Sequence, residues 1–182
     1  MISVTLGKMV SLCYNISIMK NYIVFDLEWN QSANGKERSI PHFPFEIIEI
    51  GAVKLNEAFQ MVDEFHRLIR PQVYTQMHHA ISEVTHMDMK ELRNSGELFP
   101  DAAAEFLSWC GGDAVFCTWG NMDLLELQRN MDYYHMDNPF PKPLFYYDVQ
   151  KLYGLFCREN ARISLDSAVE EQGLLENRPF HR

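Results

Sequence analysis

The stretch YIVFDLEW, residues 22–29, has the composition of a buried β-strand into which two acids have been placed. Side chains alternate between the two faces of a strand, so one face is wholly apolar and the other carries both Asp26 and Glu28. The two carboxylates lie roughly 7 Å apart along that face. A core strand with two negative charges on one side needs something that neutralises them.

Composition limits the function classes that remain open. The chain has 182 residues, 47% hydrophobic and 13% aromatic, which is enough for one sizeable core. Its net charge of −9 argues against a protein that grips nucleic acid through a broad basic surface. The net charge does not exclude an enzyme that binds phosphates through metal ions. Four scattered cysteines without a Cys-x-x-Cys pair favour reduced thiols and a cytoplasmic protein.

The first twenty residues differ from the rest. They contain no apolar run long enough to span a bilayer, and they lack the basic start and small-residue cleavage site of a signal peptide. We therefore predict an N-terminal extension over residues 1–20, within which Met19 is a candidate start, and one domain over residues 21–182. No membrane association is expected.

The remaining pattern predicts a mixed α/β domain. Three β-rich stretches come first, at 22–29, 45–55 and 60–71, with short links that favour antiparallel pairing. Two further strands, within 114–120 and 143–149, alternate with helical segments. We expect one mixed five-stranded sheet flanked by helices. In open α/β sheets the functional site lies at the carboxyl ends of strands, where the strand order switches.

Three acids are expected at that edge. Asp26 and Glu28 lie near the end of the first strand, and Asp123 lies in the first turn of the helix that follows the strand within 114–120. At about 4 Å and an effective dielectric constant near 20, each pair of carboxylates costs about 4 kcal/mol. Protons or cations must neutralise such a cluster. Mg²⁺ and Mn²⁺ prefer oxygen ligands, and a carboxylate shared between two ions suits two-metal phosphoryl chemistry.

Four segments resemble motifs of the DEDDh 3′→5′ exonucleases of the ribonuclease H-like superfamily, which include ribonuclease T and the epsilon proofreading subunit of DNA polymerase III. FDLEW resembles the first motif, EIIEIGAV the strand that follows it, TWGNMD the second motif and NRPFHR the opening of the third. The resemblance runs from about Asn21 to the end of the chain. EFHRLIRP, FLSWCGG and FYYDVQKLYGLF are most similar to the sporulation-inhibitor KapD-type and histone-mRNA-exonuclease-like branch.

The resemblance implies a ribonuclease H-like fold and an enzyme that releases nucleoside 5′-monophosphates from the 3′ ends of single-stranded RNA or DNA. Asp26, Glu28 and Asp123 would hold two Mg²⁺ or Mn²⁺ ions, with Asp26 bridging them. Glu28 and His181 would be the catalytic residues, with His181 as the general base. The residues expected to line the terminal nucleotide are Leu27, Trp29 and Asn121.

The sequence departs from the family pattern at one place. In the family a fourth acid follows the histidine of the third motif, whereas this sequence ends at Arg182, directly after His181. Because the motif continues up to that point, we favour a truncated chain over a protein that has lost the ligand. One of the two ions is then expected to bind weakly, and this form is expected to be nearly inactive.

Several residues have a simpler interpretation beside a functional one. Asp148 could be a fourth ligand, but an N-cap of the following helix is favoured. Glu49 is interpreted as a hydrogen-bonded strand acid rather than as a partner of the site, and Cys117 as a buried thiol rather than a nucleophile. Three histidines lack a Cys or carboxylate at zinc-site spacing and are interpreted as surface residues: His78, His79 and His86.

Two other functions remain open from the sequence. One is a catalytically inactive protein that binds nucleic-acid ends or regulates another protein, and the other is an oligoribonuclease-like enzyme for very short RNA. No motif fixes contacts to the 2′-hydroxyl, so the sequence does not distinguish RNA from DNA. Terminal bases would stack on Trp29 or on a neighbouring aromatic residue. The basic residues expected to serve the backbone are Lys36, Arg67 and Arg70.

Overall fold

The computed structural model describes residues 20–34, 39–140, 144–157 and 162–174. Within these ranges the chain forms one five-stranded sheet with helices. The strands are β1 (Asn21–Asn30), β2 (Glu46–Leu55), β3 (Met61–Leu68), β4 (Ala114–Thr118) and β5 (Tyr146–Asp148). The helices are α1 (His79–Thr85), α2 (Met89–Ser95), α3 (Phe99–Cys110), α4 (Met122–Tyr133), α5 (Val149–Cys157) and α6 (Leu165–Glu171).

The sheet has an antiparallel half and a parallel half, as the sequence predicts. Its strand order is β3-β2-β1-β4-β5, so β1 lies at the centre. β1 pairs antiparallel with β2, and β2 with β3. On the other side, β1 pairs parallel with β4, and β4 with β5. The predicted fold class, a mixed five-stranded α/β sheet flanked by helices, is therefore confirmed.

The apolar face of β1 forms the centre of the core. Ile23, Phe25 and Leu27 are at most 3% exposed. The Phe25 ring contacts the ring of Phe106 on α3 at 5.6 Å between centroids. Leu127 on α4 belongs to the same core cluster. Burial of each such side chain stabilises the fold by roughly 1.5–3 kcal/mol, so this face holds β1 rigidly in place.

The opposite face of β1 is more open. Asp26 is exposed and Glu28 is partly buried. At the other end of the strand, the Tyr22 ring lies 4.9 Å from the ring of Phe59 and 6.2 Å from that of Tyr147. The alternation predicted for residues 22–29 is confirmed, and both acids of the strand lie on the face away from the core formed with α3 and α4.

Residues 78–95 contain two short helices, α1 and α2. His86 ends α1 with a left-handed φ of 56°. A second helix starts at once because the Asp88 side chain accepts a hydrogen bond from the Glu91 N–H. Ser164 caps α6 by accepting from the Ser167 N–H. In the described part of the chain, no helix has the length and apolar character needed to cross a membrane.

Candidate active site

The carboxyl ends of β1 and β4 bring the three predicted acids to one edge of the sheet. β4 is paired with β1 only as far as the Val24–Cys117 position, which leaves the Leu27 N–H beyond the end of β4. Asp123, in the first turn of α4, fills that place, and its Oδ1 accepts from the Leu27 N–H at 3.2 Å. The carboxyl group of Asp123 therefore lies against the main chain between Asp26 and Glu28.

A sharp turn between β4 and α4 makes this approach possible. Gly120 has a φ of 95°, which favours glycine because it has no side chain to clash. The Thr118 hydroxyl donates to the Gly120 carbonyl oxygen at 2.6 Å and closes the turn. Asn121 follows as the first residue flanking α4, and Asp123 is only 5% exposed. The turn thus carries a carboxyl group into a largely buried position.

Burial and neighbouring acids disfavour negative charge on the carboxyl groups of the site. Burial, followed by the charge of Asp26, raises the pKa of Asp123 to about 7, although the hydrogen bond from Leu27 lowers it. Burial, followed by the charges of Asp26, Glu49 and Asp123, raises the pKa of Glu28 to about 7. At neutral pH, Glu28 and Asp123 are therefore each partly protonated. The site holds more carboxylates than its surroundings stabilise in the charged form.

The donor set of the site fits a hard divalent cation. It consists of carboxylate oxygens, which Mg²⁺ and Mn²⁺ prefer. A cation would also reverse the repulsion that raises the pKa of Glu28 and Asp123. Within the described residues, however, no group of three His, Cys, Asp or Glu side chains is already arranged to hold one ion. The acids are neighbours that interact electrostatically, and metal binding would have to draw them closer.

Glu49 has a defined partner, as predicted for a hydrogen-bonded strand acid. It lies directly opposite Glu28 in the register of β1 and β2. Its Oε1 is hydrogen-bonded to Nε2 of His66 on β3, a residue that the sequence did not single out. The charge of Glu49 nevertheless contributes to the raised pKa of Glu28. Glu49 is thus a structural acid that acts on the site through its charge.

Asp148 serves as the cap of α5, the favoured of its two interpretations. Its Oδ1 accepts from the Lys151 N–H at 3.0 Å, and its Oδ2 lies 2.8 Å from the Lys151 ammonium nitrogen. Burial alone would raise the pKa of Asp148, but the hydrogen bonds and charge of Lys151 lower it overall. Asp148 is not among the charges that raise the pKa of Glu28 or Asp123. The structure gives no support to a role as fourth ligand.

The predicted substrate-binding residues are placed differently from one another. The Leu27 side chain is 3% exposed and belongs to the core, because it lies on the apolar face of β1. The N–H of Leu27, rather than its side chain, is therefore the group that reaches the site. Trp29 is partly buried, and its ring lies 5.5 Å from that of Phe45. Asn121 is exposed beside Asp123. His181 and Lys36 lie outside the described residues.

The remaining candidates are not among the groups that shift the pKa of Glu28 or Asp123. His79 is exposed and lies 3.5 Å from Glu83, one helical turn away. His86 ends α1, and His78 precedes it. Burial raises the pKa of the Cys117 thiol to about 11, so it stays protonated near neutral pH. A protonated thiol is a poor nucleophile, which agrees with the predicted buried cysteine.

Sequence reasoning missed two fully buried polar residues at the end of β1 and the start of β2. Asn30 is 0% exposed and Glu46 is 1% exposed. Each stands at the end of an apolar strand, where a polar residue is ordinary, so no sequence signal marked them. Both are hydrogen-bonded to the segment Gln72–His78. Asn30 binds Tyr74, which is 44 residues further along the chain. Glu46 binds Gln72, which is 26 residues further along.

Comparison with known proteins gives the family. The family described as Exonuclease (RNase_T) matches residues 23–182, so the chain belongs to this exonuclease family. No curated protein matches the chain.

Solved structures agree with the fold. The chain is similar to the nuclease domain of 3′hExo, a DEDDh family member bound to rAMP, with 23% identity, a TM-score of 0.71 and coverage of 90% of this chain and 84% of that chain. A 3′-exonuclease that recognises the 3′ end of histone mRNA stem-loop is 22% identical, with a TM-score of 0.71 and coverage of 96% and 64%. E. coli exonuclease I in complex with a dT13 oligonucleotide is 12% identical, with a TM-score of 0.61 and coverage of 75% and 30%. At these identities the likeness establishes the fold, which is ribonuclease H-like.

Proposed function

We propose that this chain is a metal-dependent 3′→5′ exonuclease that releases nucleoside 5′-monophosphates from single-stranded nucleic acid. The observation that carries the proposal is the hydrogen bond from Leu27 to Asp123. It brings the acid of the second motif to the two acids of the first, Asp26 and Glu28. Family membership supports the reaction class, and the acidic, oxygen-only donor set supports metal dependence.

Asp26, Glu28 and Asp123 would hold two Mg²⁺ or Mn²⁺ ions. Bound ions would supply the charge that stabilises the phosphoryl transition state and lowers the pKa of the attacking water. The protein contributes an arrangement in which the Leu27 N–H fixes Asp123 and β1 fixes the other two acids. Since the pKa of Glu28 and Asp123 is about 7, these residues would release protons when a cation binds at neutral pH.

His181 would accept the proton of the attacking water. An imidazole suits this role because its unperturbed pKa, near 6.5, makes it neutral at the working pH and still basic enough. Asn121, exposed next to Asp123, is the side chain that we assign to the terminal nucleotide, with Trp29 as a further stacking surface. These assignments rest on the resemblance of FDLEW, TWGNMD and NRPFHR to the family motifs.

The substrate is proposed to be the 3′ end of a single strand. The similar structures include one bound to rAMP, one that recognises histone mRNA and one bound to a DNA oligonucleotide, so they support both RNA and DNA. We place the chain in the KapD-type and histone-mRNA-exonuclease-like branch because of the segments EFHRLIRP, FLSWCGG and FYYDVQKLYGLF. Free cysteines at positions 110, 117 and 157 suit a cytoplasmic location.

A nuclease assay on matched 5′-labelled RNA and DNA, with Mn²⁺, Mg²⁺ or EDTA, tests the proposal. We expect a ladder that shortens from the 3′ end, no reaction in EDTA and a block by a 3′-terminal phosphate. Cuts within a circular substrate, or hydrolysis in EDTA, would contradict it. Cleavage of dinucleotides but not of longer strands would identify an oligoribonuclease-like enzyme instead. Binding without cleavage would identify a protein that recognises nucleic-acid ends.

A further inference from the structure

The side chain of Asn30 acts as a clamp between β1 and a distant segment. It is 0% exposed at the end of β1. Its amide nitrogen donates to the carbonyl oxygens of Tyr74, at 2.8 Å, and Gln76, at 3.0 Å. Its amide oxygen accepts from the His78 N–H at 3.0 Å. A single amide thus uses both of its N–H groups and its oxygen to fix the backbone of Tyr74–His78.

Glu46 holds the residues just before this segment. It is the strand partner of Asn30 and is 1% exposed. Its carboxylate accepts from the N–H groups of Gln72, at 2.7 Å, and Tyr74, at 2.7 Å. The Tyr134 hydroxyl donates to it at 2.9 Å. Glu46 anchors the beginning of the segment, and the clamp formed by Asn30 determines where its remainder runs.

This segment lies against the end of β1, the strand that carries two of the acids. Asn30 is two residues beyond Glu28 on the same strand, so their Cα atoms lie roughly 7 Å apart. The segment then leads into α1, which contacts β1. His78, its last residue, has a buried Nδ1 with no hydrogen-bond partner among the described residues. Buried polar atoms are rarely left without a partner, and His78 as a whole is only half-buried, so a small movement of the ring would bring Nδ1 to a group supplied from outside.

We propose that Asn30 is a positioning residue of the site: it holds Tyr74–His78 as a wall of the cleft that receives the substrate strand, with the His78 imidazole offered to that strand. The inference rests on the proposed function and adds to it a substrate contact outside the acidic motifs. Asn30 touches neither the acids nor the reacting phosphate. It acts through the backbone that it holds.

Asn130 provides a matched control. It is also 0% exposed and also makes three hydrogen bonds to main-chain groups. Its Oδ1 accepts from the Ile47 N–H at 3.0 Å, and its Nδ2 donates to the carbonyl oxygens of Phe45, at 3.0 Å, and Glu126, at 2.9 Å. None of these groups belongs to Tyr74–His78. Removing either amide deletes three hydrogen bonds to main-chain groups, but only the removal of Asn30 frees Tyr74–His78.

The test compares Asn30→Ala with Asn130→Ala in the full chain. Both variants should melt at a lower temperature than the wild type. Amide hydrogen exchange at His78, whose N–H loses its acceptor, should become at least about tenfold faster in Asn30→Ala only. The Kd of a 5′-fluorescein-labelled single-stranded oligonucleotide, measured by anisotropy in Ca²⁺, should rise about tenfold in Asn30→Ala and stay within about twofold in Asn130→Ala. Equal Kd values for the two variants would overturn the inference.

His78→Ala covers the case in which Asn30→Ala does not fold. This change keeps the backbone and the clamp, so the melting temperature should be unchanged while Kd rises about threefold to tenfold. An unchanged Kd would contradict the assigned role of His78 and of the wall. The proposed function fails separately, through the absence of hydrolysis by the wild type in Mn²⁺. Oligonucleotide binding and hydrogen exchange are measured without turnover, so the two failures are distinguishable.

Discussion

Glu46 and Asp123 are both buried acids next to the central strand, yet their surroundings differ. Glu46 is 1% exposed, and its carboxylate accepts hydrogen bonds from three consecutive main-chain N–H groups and from the Tyr134 hydroxyl. Asp123 is 5% exposed and accepts a hydrogen bond from the Leu27 N–H, with Asp26 nearby as a like charge. Burial is almost the same for the two residues. The supply of hydrogen-bond donors and the sign of the neighbouring charge are what differ.

This difference separates a structural acid from a functional one. A carboxylate surrounded by donors organises the chain around it, as Glu46 does for the segment from Gln72 to Tyr74. A buried carboxyl group next to another acid has its pKa raised, here to about 7 for Asp123, and its charged form is stabilised only when a cation arrives. Perturbed acids that face one another at a sheet edge are therefore candidates for function.

The largest expected effect is on hydrolysis. Asp26→Ala should lower the rate by more than about a hundredfold, because it removes a charge that the proposed ions require. In EDTA the same variant should be at least as stable as the wild type, since one of several crowded carboxylates is gone. The nuclease assay checks the expected loss of hydrolysis, and a thermal melt in EDTA checks the expected stability. Early unfolding of the variant would mean that Asp26 is a structural acid like Glu46.

A large loss of stability is expected when Glu46, the structural acid, is replaced. Glu46→Ala leaves the N–H groups of Gln72, Val73 and Tyr74 without their acceptor, and that of Tyr74 is buried, which should lower the free energy of unfolding by about 3 kcal/mol. Denaturant unfolding at pH 7 in EDTA measures it. Glu49→Ala, on the same strand but with His66 as its hydrogen-bond partner, should cost less than about 1 kcal/mol. Similar losses in both variants would remove the distinction drawn for Glu46.

Asp123→Asn should stabilise the metal-free protein. Asparagine keeps an oxygen to accept the Leu27 N–H and removes the charge, so at pH 8 in EDTA we expect a gain on the order of 2 kcal/mol. The pKa of Asp123 and Glu28 is raised in the folded chain, so the folded chain binds more protons than the unfolded one between about pH 4 and pH 7. Metal-free wild type should therefore lose stability as the pH rises through this window. Asp123→Asn should flatten that slope, and an unchanged slope would contradict the pKa assignment.

The smallest effect is expected for Asp148→Ala. The variant loses the cap of α5, which should cost about 1 kcal/mol. The ion pair with the exposed Lys151 adds little to this. Hydrolysis should stay within about twofold of the wild type, because Asp148 does not act on the acidic cluster. Thermal melts and the nuclease assay test this together. A hundredfold loss of activity would instead make Asp148 the fourth ligand.

The acids were predictable because strand periodicity and strand order are local or topological signals. Alternation placed Asp26 and Glu28 on one face, and the position of Asp123 after a parallel strand placed it at the same edge. The same alternation sends the Leu27 side chain into the core, which the substrate assignment from family resemblance did not take into account. The Asn30 clamp and Glu46 were not predictable, since each depends on contacts with a segment far away in the sequence. The left-handed turn at His86 was missed because no glycine marks it.

The central claim, that Asp26, Glu28 and Asp123 form one cation-binding cluster, is tested most directly by calorimetric titration of Mn²⁺. The titration is run at pH 7 in two buffers with different ionisation enthalpies, on the wild type and on Asp26→Ala. We expect the wild type to bind Mn²⁺ with release of protons, seen as a heat that depends on the buffer, and the variant to lose this binding. Absence of Mn²⁺ binding by the wild type, or equal binding by the variant, would contradict the claim.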